Sequence, residues 1–147
     1  LQTPVLVMSD LDLGMNSHMS DPLEWDDEKR YDRGKVFTEQ DLEEMDEKFM
    51  DMLTELRVAY AKPMRVTSAY RHETHPIEAK KSRPGAHSTG KAADIAVARG
   101  EAYELLKLAL EIGFTGIGVA QKGDGRFLHL DICTESEGFT RPTVWSY

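Results

Sequence analysis

The sequence predicts an α+β domain in which a mainly antiparallel sheet carries helices packed on one face. Three observations lead to this prediction: apolar residues recur at three- and four-residue steps between residues 42 and 60, short strand-like runs follow, and Lys-Gly-Asp-Gly separates the last two runs. The resulting order is helix, strand, strand, helix, hairpin. Such an order favours helices that cover one face of an antiparallel sheet.

The first helix is predicted to begin near Thr38 and to end before Pro63. Thr38 and Asp41 resemble a capping box in which Asp replaces the usual Glu. Proline lacks the amide hydrogen that a continuing helix needs. The apolar residues of this segment share one helical face, which we assign to the core: Leu42, Met45, Phe49, Met52, Leu53, Leu56 and Tyr60.

Two strands are predicted next, on either side of a long irregular segment. Met64–Ala69 has the alternation and β-branched content of a strand, and Ala92–Ala98 is small and apolar enough to be a buried one. Residues 70–90 are polar and rich in His, Pro and Gly. Because long irregular stretches in small domains are usually functional, we expect a site there.

The last part of the chain is predicted to form a helix and a hairpin. Gly113 ends the helix Glu101–Ile112. Gly116–Gln121 and Arg126–Ile132 are strand-like, and the glycines between them indicate a tight turn. The inward residues of the helix are expected to be Leu105, Leu106, Ala109 and Leu110.

Length and composition limit the functions open to this chain. Its 147 residues suffice for a hydrophobic core without a structural metal, so a metal would be free to be catalytic. The net charge of -8 argues against nucleic-acid binding, and no apolar run is long enough for membrane insertion. Cys133 is the only cysteine, which excludes an intrachain disulfide. The oligomeric state is not indicated.

We predict three segments along the chain. Residues 1–18 read as an expression-tag remnant, because Gly14–Met19 resembles a cloning junction. Residues 19–37 form a charged arm, and residues 38–147 form the domain. Leu1–Leu6 lacks the basic start and apolar stretch of a secretory signal, so we expect synthesis in the cytoplasm without a standard export signal.

Strand periodicity separates polar residues from the core. In the last strand, Phe127, His129 and Asp131 share one face, and the opposite face is wholly apolar. Asp94 likewise lies on one face of its strand, between Ala92 and Ala96. A carboxylate among small apolar residues is costly to bury unless it is paired or binds a cation. The polar face is therefore predicted to form a groove.

His87 can join these residues because Gly85 and Gly90 would let its loop fold back over the strand. Two histidines and one carboxylate would give zinc three protein ligands and an open fourth position, as in catalytic sites. Spacing alone leaves this open, because histidines are common in loops and strands.

The ordered motifs resemble the zinc D-Ala-D-Ala carboxypeptidase family, which belongs to a group that includes lysostaphin-type endopeptidases and the hedgehog signalling domain. They are Ser-Ala-Tyr-Arg at 68–71, His-Ser-Thr-Gly-Lys-Ala-Ala-Asp-Ile at 87–95, Gly-Phe-Thr-Gly-Ile-Gly-Val at 113–119, Phe-Leu-His-Leu-Asp at 127–131 and Trp-Ser-Tyr at 145–147. The resemblance implies a hedgehog/DD-peptidase-like fold. It also implies a zinc peptidase that acts on peptidoglycan stem peptides or cross-links, as a D,D-carboxypeptidase or an endopeptidase.

The resemblance also implies roles for individual residues. His87, Asp94 and His129 match the zinc ligands. Arg71 matches an arginine near the substrate carbonyl or carboxylate, where a guanidinium could stabilise an oxyanion or clamp a carboxylate; a surface ion pair is the alternative. The expected substrate-binding residues are Tyr70, Arg71, His72 and Ser88.

The general base is where this sequence departs from the family. One branch has Glu three residues before the last ligand, where this chain has Arg126, and others have His two residues before it, where this chain has Phe127. Asp131 is our candidate base, because it shares the face of His129. The alternative is that Asp131 orients a ligand imidazole.

Three other residues could in principle be reactive. His72 and His75 lack the spacing of a helical metal motif, and Pro76 argues against a helix there, so we expect them to bind substrate at the rim of the site rather than to hold a metal. Cys133 is expected to be a half-buried, inert thiol.

Two functions remain open from the sequence. The first is a zinc peptidase at the bacterial cell wall; the lack of a signal and of wall-binding repeats suits a phage- or prophage-encoded lysis or tail enzyme. The second is a zinc-containing binding domain of the same fold without catalysis, which the missing Glu and His at the base positions keep open.

Overall fold

The computed structural model describes residues 43–81 and 85–147. The proposed tag remnant, the charged arm and the Thr38–Asp41 capping box lie outside these residues, so the segment boundaries remain predictions. Within the described part no helix is long and apolar enough to cross a membrane.

The first described helix, α1, is Glu47–Tyr60. Asp46 is its N-cap, and the Asp46 side chain accepts a hydrogen bond from the backbone N–H of Phe49 at 2.9 Å. The prediction of one helical face that includes Met45 was therefore wrong at this end, because the chain bends at the cap and Met45 precedes it. Met45 is nevertheless buried.

The sheet has five strands: β1 Arg65–Ser68, β2 Ala92–Ala96, β3 Gly116–Ala120, β4 Phe127–Asp131 and β5 Thr143–Ser146. Their order in the sheet is β1-β2-β4-β3-β5. Neighbouring strands are antiparallel except β3 and β5, which are parallel. The predicted α+β class and mainly antiparallel sheet are confirmed.

Helices and 3-10 turns lie between several of the strands. α2 is Pro76–Ala79, followed by a 3-10 turn at Ala86–Thr89, helix α3 at Arg99–Ile112 and a second 3-10 turn at Glu135–Glu137. The expectation that Pro76 opposes a helix was wrong, because Pro76 occupies the first turn, where its missing N–H costs nothing.

The core lies between one face of the sheet and helices α1 and α3, which pack on each other. Leu105 and Ala109 of α3 are buried as predicted, and Gly113 is the left-handed C-cap. Leu110 was expected inside but is 60% exposed, because the buried face follows steps of three and four residues through Ala102, Leu105 and Ala109, and Leu110 lies one position beyond it. The opposite face of the sheet is left for the polar residues.

Candidate metal centre

Two of the three predicted ligands are direct neighbours across the sheet. Asp94 in β2 is paired with His129 in β4, and Gly118 in β3 flanks His129 on its other side. Leu128 and Leu130 of β4 point into the core. Because side chains alternate along a strand, the core packing of these leucines turns His129 to the other face.

The 3-10 turn brings the third ligand, His87, over the sheet. The backbone N–H of Arg71 donates to the carbonyl of His87 at 3.1 Å, and the N–H of Asp46 donates to the carbonyl of Gly90 at 2.8 Å. Gly90 has a φ of +77°, and a Cβ there would collide with the backbone of Glu44. Glycine is therefore required for this turn to dock against the start of α1.

The nitrogens of His87 and His129 converge on one carboxylate oxygen. Oδ1 of Asp94 lies 3.3 Å from Nε2 of His87 and 3.1 Å from Nδ1 of His129. One ligand atom from each of the three residues lies within 4.8 Å of the others, and all three residues are buried. The structure thus brings the predicted trio together.

The hydrogen bonds of the two rings show that the donor set fits a cation. Nδ1 of His87 lies 2.7 Å from the carbonyl oxygen of Ala69, and Nε2 of His129 lies 2.7 Å from Oδ2 of Asp131. Both partners only accept hydrogen bonds, so these nitrogens carry the protons. With a cation bound, the other nitrogen of each ring would present its lone pair toward the position beside Oδ1 of Asp94. Two lone pairs facing a carboxylate favour a cation between them, and two histidines with one carboxylate suit zinc.

The charges around Asp94 favour its ionised form. Without a cation, the same ring nitrogens can donate to Asp94 instead: burial raises the pKa of Asp94, but hydrogen bonds and attraction from His129 and His87 outweigh it and hold that pKa well below its usual value. The carboxyl group is therefore a charged ligand at neutral pH. Its Oδ2 lies 3.9 Å from Nη2 of Arg71.

Asp131 is completely buried, and its two oxygens serve three groups. Oδ2 accepts from His129 and from Nη2 of Arg141 at 2.7 Å, and Oδ1 accepts from Nε of Arg141 at 2.9 Å and from the N–H of Cys133 at 3.1 Å. Burial raises the pKa of Asp131, but His129 and Arg141 lower it to about 2. These contacts are those of an acceptor that orients an imidazole.

The sequence reasoning did not identify Arg141. Besides pairing with Asp131, its guanidinium carbon lies 5.1 Å from the ring centre of Trp145, whose ring also packs on His129. Glycines make room for both side chains: a Cβ at Gly116 would collide with Asp131 and Arg141, and one at Gly118 would lie 2.7 Å from Trp145. The alternating glycines of β3 were the available signal, since they face Asp131 and His129.

Glu78 was also missed. It is buried, and it accepts hydrogen bonds from Nη1 of Arg71 at 3.0 Å, from Nζ of Lys81 at 3.1 and 3.2 Å, and from the N–H of Gly85 at 2.7 Å. Burial raises the pKa of Glu78, but the donors Gly85, Lys81 and Arg71 lower it to about 2. A single glutamate within a polar loop gave no sequence signal.

A cavity of about 360 Å³ opens over the trio. Arg71, predicted to bind substrate, lines it, together with Lys81 and Arg141. Its aromatic walls are Phe127, Phe139, Trp145 and Tyr147.

The other predicted substrate residues lie elsewhere. Tyr70 and Ser88 line a neighbouring cleft of about 320 Å³ that shares Phe139 with the cavity. His72 lines neither; its Nδ1 bonds with Thr74.

Two further residues of interest are placed outside the centre. His75 caps α2, where its Nδ1 accepts from the N–H of Ile77 at 3.2 Å, and it is exposed. Cys133 is fully buried rather than half-buried, and burial raises the pKa of its thiol to about 11. It is therefore protonated and unreactive at neutral pH.

Comparison with known proteins gives one match. The family model described as Peptidase M15 matches residues 28–131, which include the whole His87–Asp94–His129 trio. No curated protein and no solved structure matches the chain. Since the family match covers well over half of the 147 residues, the chain belongs to the peptidase M15 family, whose members are metallopeptidases.

Proposed function

We propose that this protein is a zinc peptidase that hydrolyses a peptide bond in peptidoglycan stem peptides or cross-links. The observation that carries the proposal is the convergence of two imidazole nitrogens on the buried carboxylate of Asp94 in the lining of the cavity. Three protein ligands leave a position open, as catalytic zinc sites require. When bound, zinc would lower the pKa of a coordinated water toward 7 and polarise a carbonyl group.

The cavity suits a peptide that carries carboxylates. Arg71 and Lys81 give it positive charge on the α2 side, although the whole chain has a net charge of -8. Among the described residues, Nε and Nη2 of Arg71 donate no hydrogen bond, so both remain for a substrate oxygen. A guanidinium with two available donors can clamp a carboxylate or stabilise an oxyanion. Stem peptides supply such carboxylates.

For Asp131, the contacts support the orienting role over that of general base. Its oxygens bond to Arg141, Cys133 and His129, and its side chain is fully buried. The described wall of the cavity contains no carboxylate besides Asp94. This observation favours, as the second candidate, a zinc-bearing binding domain without catalysis.

One experiment separates the two candidates. Purified protein is incubated with peptidoglycan, with and without a chelator, and the fragments are analysed by mass spectrometry. We expect chelator-sensitive release of peptides; free D-Ala would indicate a carboxypeptidase, and separation of cross-linked stems would indicate an endopeptidase. Intact peptidoglycan together with one zinc per chain would reject the peptidase and support the binding domain.

His129→Ala and His75→Ala form a matched pair of variants for the metal itself. The first removes a ligand, and the second removes an exposed imidazole outside the centre. We expect zinc in the purified protein to be lost from His129→Ala and retained by His75→Ala. A full equivalent of zinc in His129→Ala would reject the site.

The proposed place of action is the bacterial cell wall, and a phage or prophage origin remains part of the proposal.

A further inference from the structure

Arg71 lies between two carboxylates of different function. Nη1 donates to Oε2 of Glu78 at 3.0 Å, and Nη2 lies 3.9 Å from Oδ2 of the proposed metal ligand Asp94. The side chain of Arg71 is only 17% exposed, so its charge is poorly screened by solvent. A movement of about 1 Å would turn the longer approach into a hydrogen bond.

A hydrogen bond between Arg71 and Asp94 would act against a bound cation. Asp94 supplies the only negative charge among the three proposed ligands. A guanidinium bonded to it would neutralise that charge and bring a positive group closer to a divalent ion, which like-charge repulsion makes unfavourable.

The surroundings of Glu78 fit it for holding Arg71 away from Asp94. Its side chain is fully buried, and the N–H of Gly85 and Nζ of Lys81 fix its carboxylate. Gly85 is also the N-cap of the 3-10 turn that carries His87. Burial raises the pKa of Glu78, but its donors lower it to about 2, so the group is ionised at neutral pH.

We propose that Glu78 is a positioning residue that competes with Asp94 for Arg71: it keeps the guanidinium paired beside the metal centre, so that Asp94 stays available to zinc and the remaining donors of Arg71 stay available to substrate. This inference rests on the proposed metal site. Glu78 itself bonds to none of the three proposed ligands and does not line the cavity.

A double-mutant cycle on zinc affinity tests the proposal. The dissociation constant of zinc is measured by competition with a chromophoric chelator for wild type, Glu78→Gln, Arg71→Met and the double variant. Glu78→Gln should bind zinc about tenfold more weakly than wild type. In the Arg71→Met background, the same change should alter zinc affinity by less than about twofold, because no guanidinium is left to compete.

Lys62→Met is the control, since it breaks another pair of a cation with a glutamate, Glu104, outside the cavity and leaves the pair of Arg71 and Glu78 intact. Its zinc affinity should stay within about twofold of wild type. Circular dichroism verifies that each variant is folded. If Glu78→Gln does not fold, Glu78→Asp replaces it, because a carboxylate withdrawn by one methylene also loosens Arg71.

The outcomes are distinct. Equal zinc affinity in wild type and Glu78→Gln would overturn the inference. It would also be overturned if Glu78→Gln lost as much affinity in the Arg71→Met background as in the wild-type background, which would show that Glu78 only supports the turn of His87. Either result leaves the peptidase proposal intact. A wild-type protein that binds no zinc would overturn both.

Discussion

Two arginine–carboxylate pairs flank the candidate metal centre, and they differ in how many guanidinium nitrogens donate hydrogen bonds. Arg141 donates from Nε and Nη2 to both oxygens of Asp131 and from Nη1 to the carbonyl of Thr140 at 2.7 Å. Arg71 donates from Nη1 alone, to one oxygen of Glu78, among the described residues.

This difference supports a structural role for the first pair and the proposed substrate contact for the second. The bidentate geometry of Arg141 fixes Asp131, which in turn holds the ring of His129. Arg71 is anchored through Nη1 and lines the cavity. The same kind of ion pair thus holds the candidate ligand His129 on one side of the centre and leaves, among the described residues, a guanidinium with two unused nitrogens on the other.

Breaking the pair of Arg141 and Asp131 should have the largest effect on the free energy of unfolding. Arg141→Met leaves the buried carboxylate of Asp131 without its cation, and losing one partner of a buried ion pair costs about 3–5 kcal/mol. Urea denaturation measures the free energy of unfolding. Lys62→Met, which breaks the exposed pair with Glu104, is the control and should cost less than about 1 kcal/mol. Similar losses in both variants would contradict the structural role of Arg141.

Arg71→Met should instead affect turnover. Removing a donor to a developing oxyanion or a substrate carboxylate lowers kcat/KM by about 100-fold. The free energy of unfolding should change less than in Arg141→Met, because Glu78 still accepts hydrogen bonds from Lys81 and Gly85. The measurement is peptide release from peptidoglycan at saturating zinc. Turnover at the wild-type level would show that Arg71 does not meet the substrate.

The contribution of Glu78 to stability should depend on pH. Its pKa falls from 4.5 to about 2 on folding, so its stabilising effect is fully present above pH 4.5 and is lost as pH falls toward 2. The difference in unfolding free energy between zinc-free wild type and Glu78→Gln should be on the order of 2 kcal/mol at pH 7. Urea denaturation from pH 7 to pH 2 measures it. A constant difference over this range would show that the charge of Glu78 does not stabilise the fold.

Asp131→Asn should have the smallest effect on the reaction itself, and it decides between the two roles of Asp131. If Asp131 orients His129, the substitution should weaken zinc binding about tenfold and leave turnover at saturating zinc largely unchanged. Chelator competition and peptide release measure the two quantities in protein shown to be folded. Normal zinc affinity with lost turnover would identify Asp131 as the general base.

Much of the centre was predictable because β-strands obey a strict period of two. Asp94 and His129 had to leave the apolar face of their strands, and the register then places them opposite each other. His87 needed the family motif, since no periodicity governs a loop. The helix start and Leu110 were less predictable, because cap contacts and packing between helices depend on the assembled core.

The sequence by itself determined the sheet with its polar face, the identity of the three candidate ligands and the family. Only the tertiary structure decided what surrounds those ligands. Arg141 reaches Asp131 from the loop before β5, and Glu78 reaches Arg71 from α2. The physical reason is that side-chain ion pairs depend on the distance and direction between segments, which no local pattern of residues encodes. The same structure anchors Arg141 through three nitrogens and Arg71 through one.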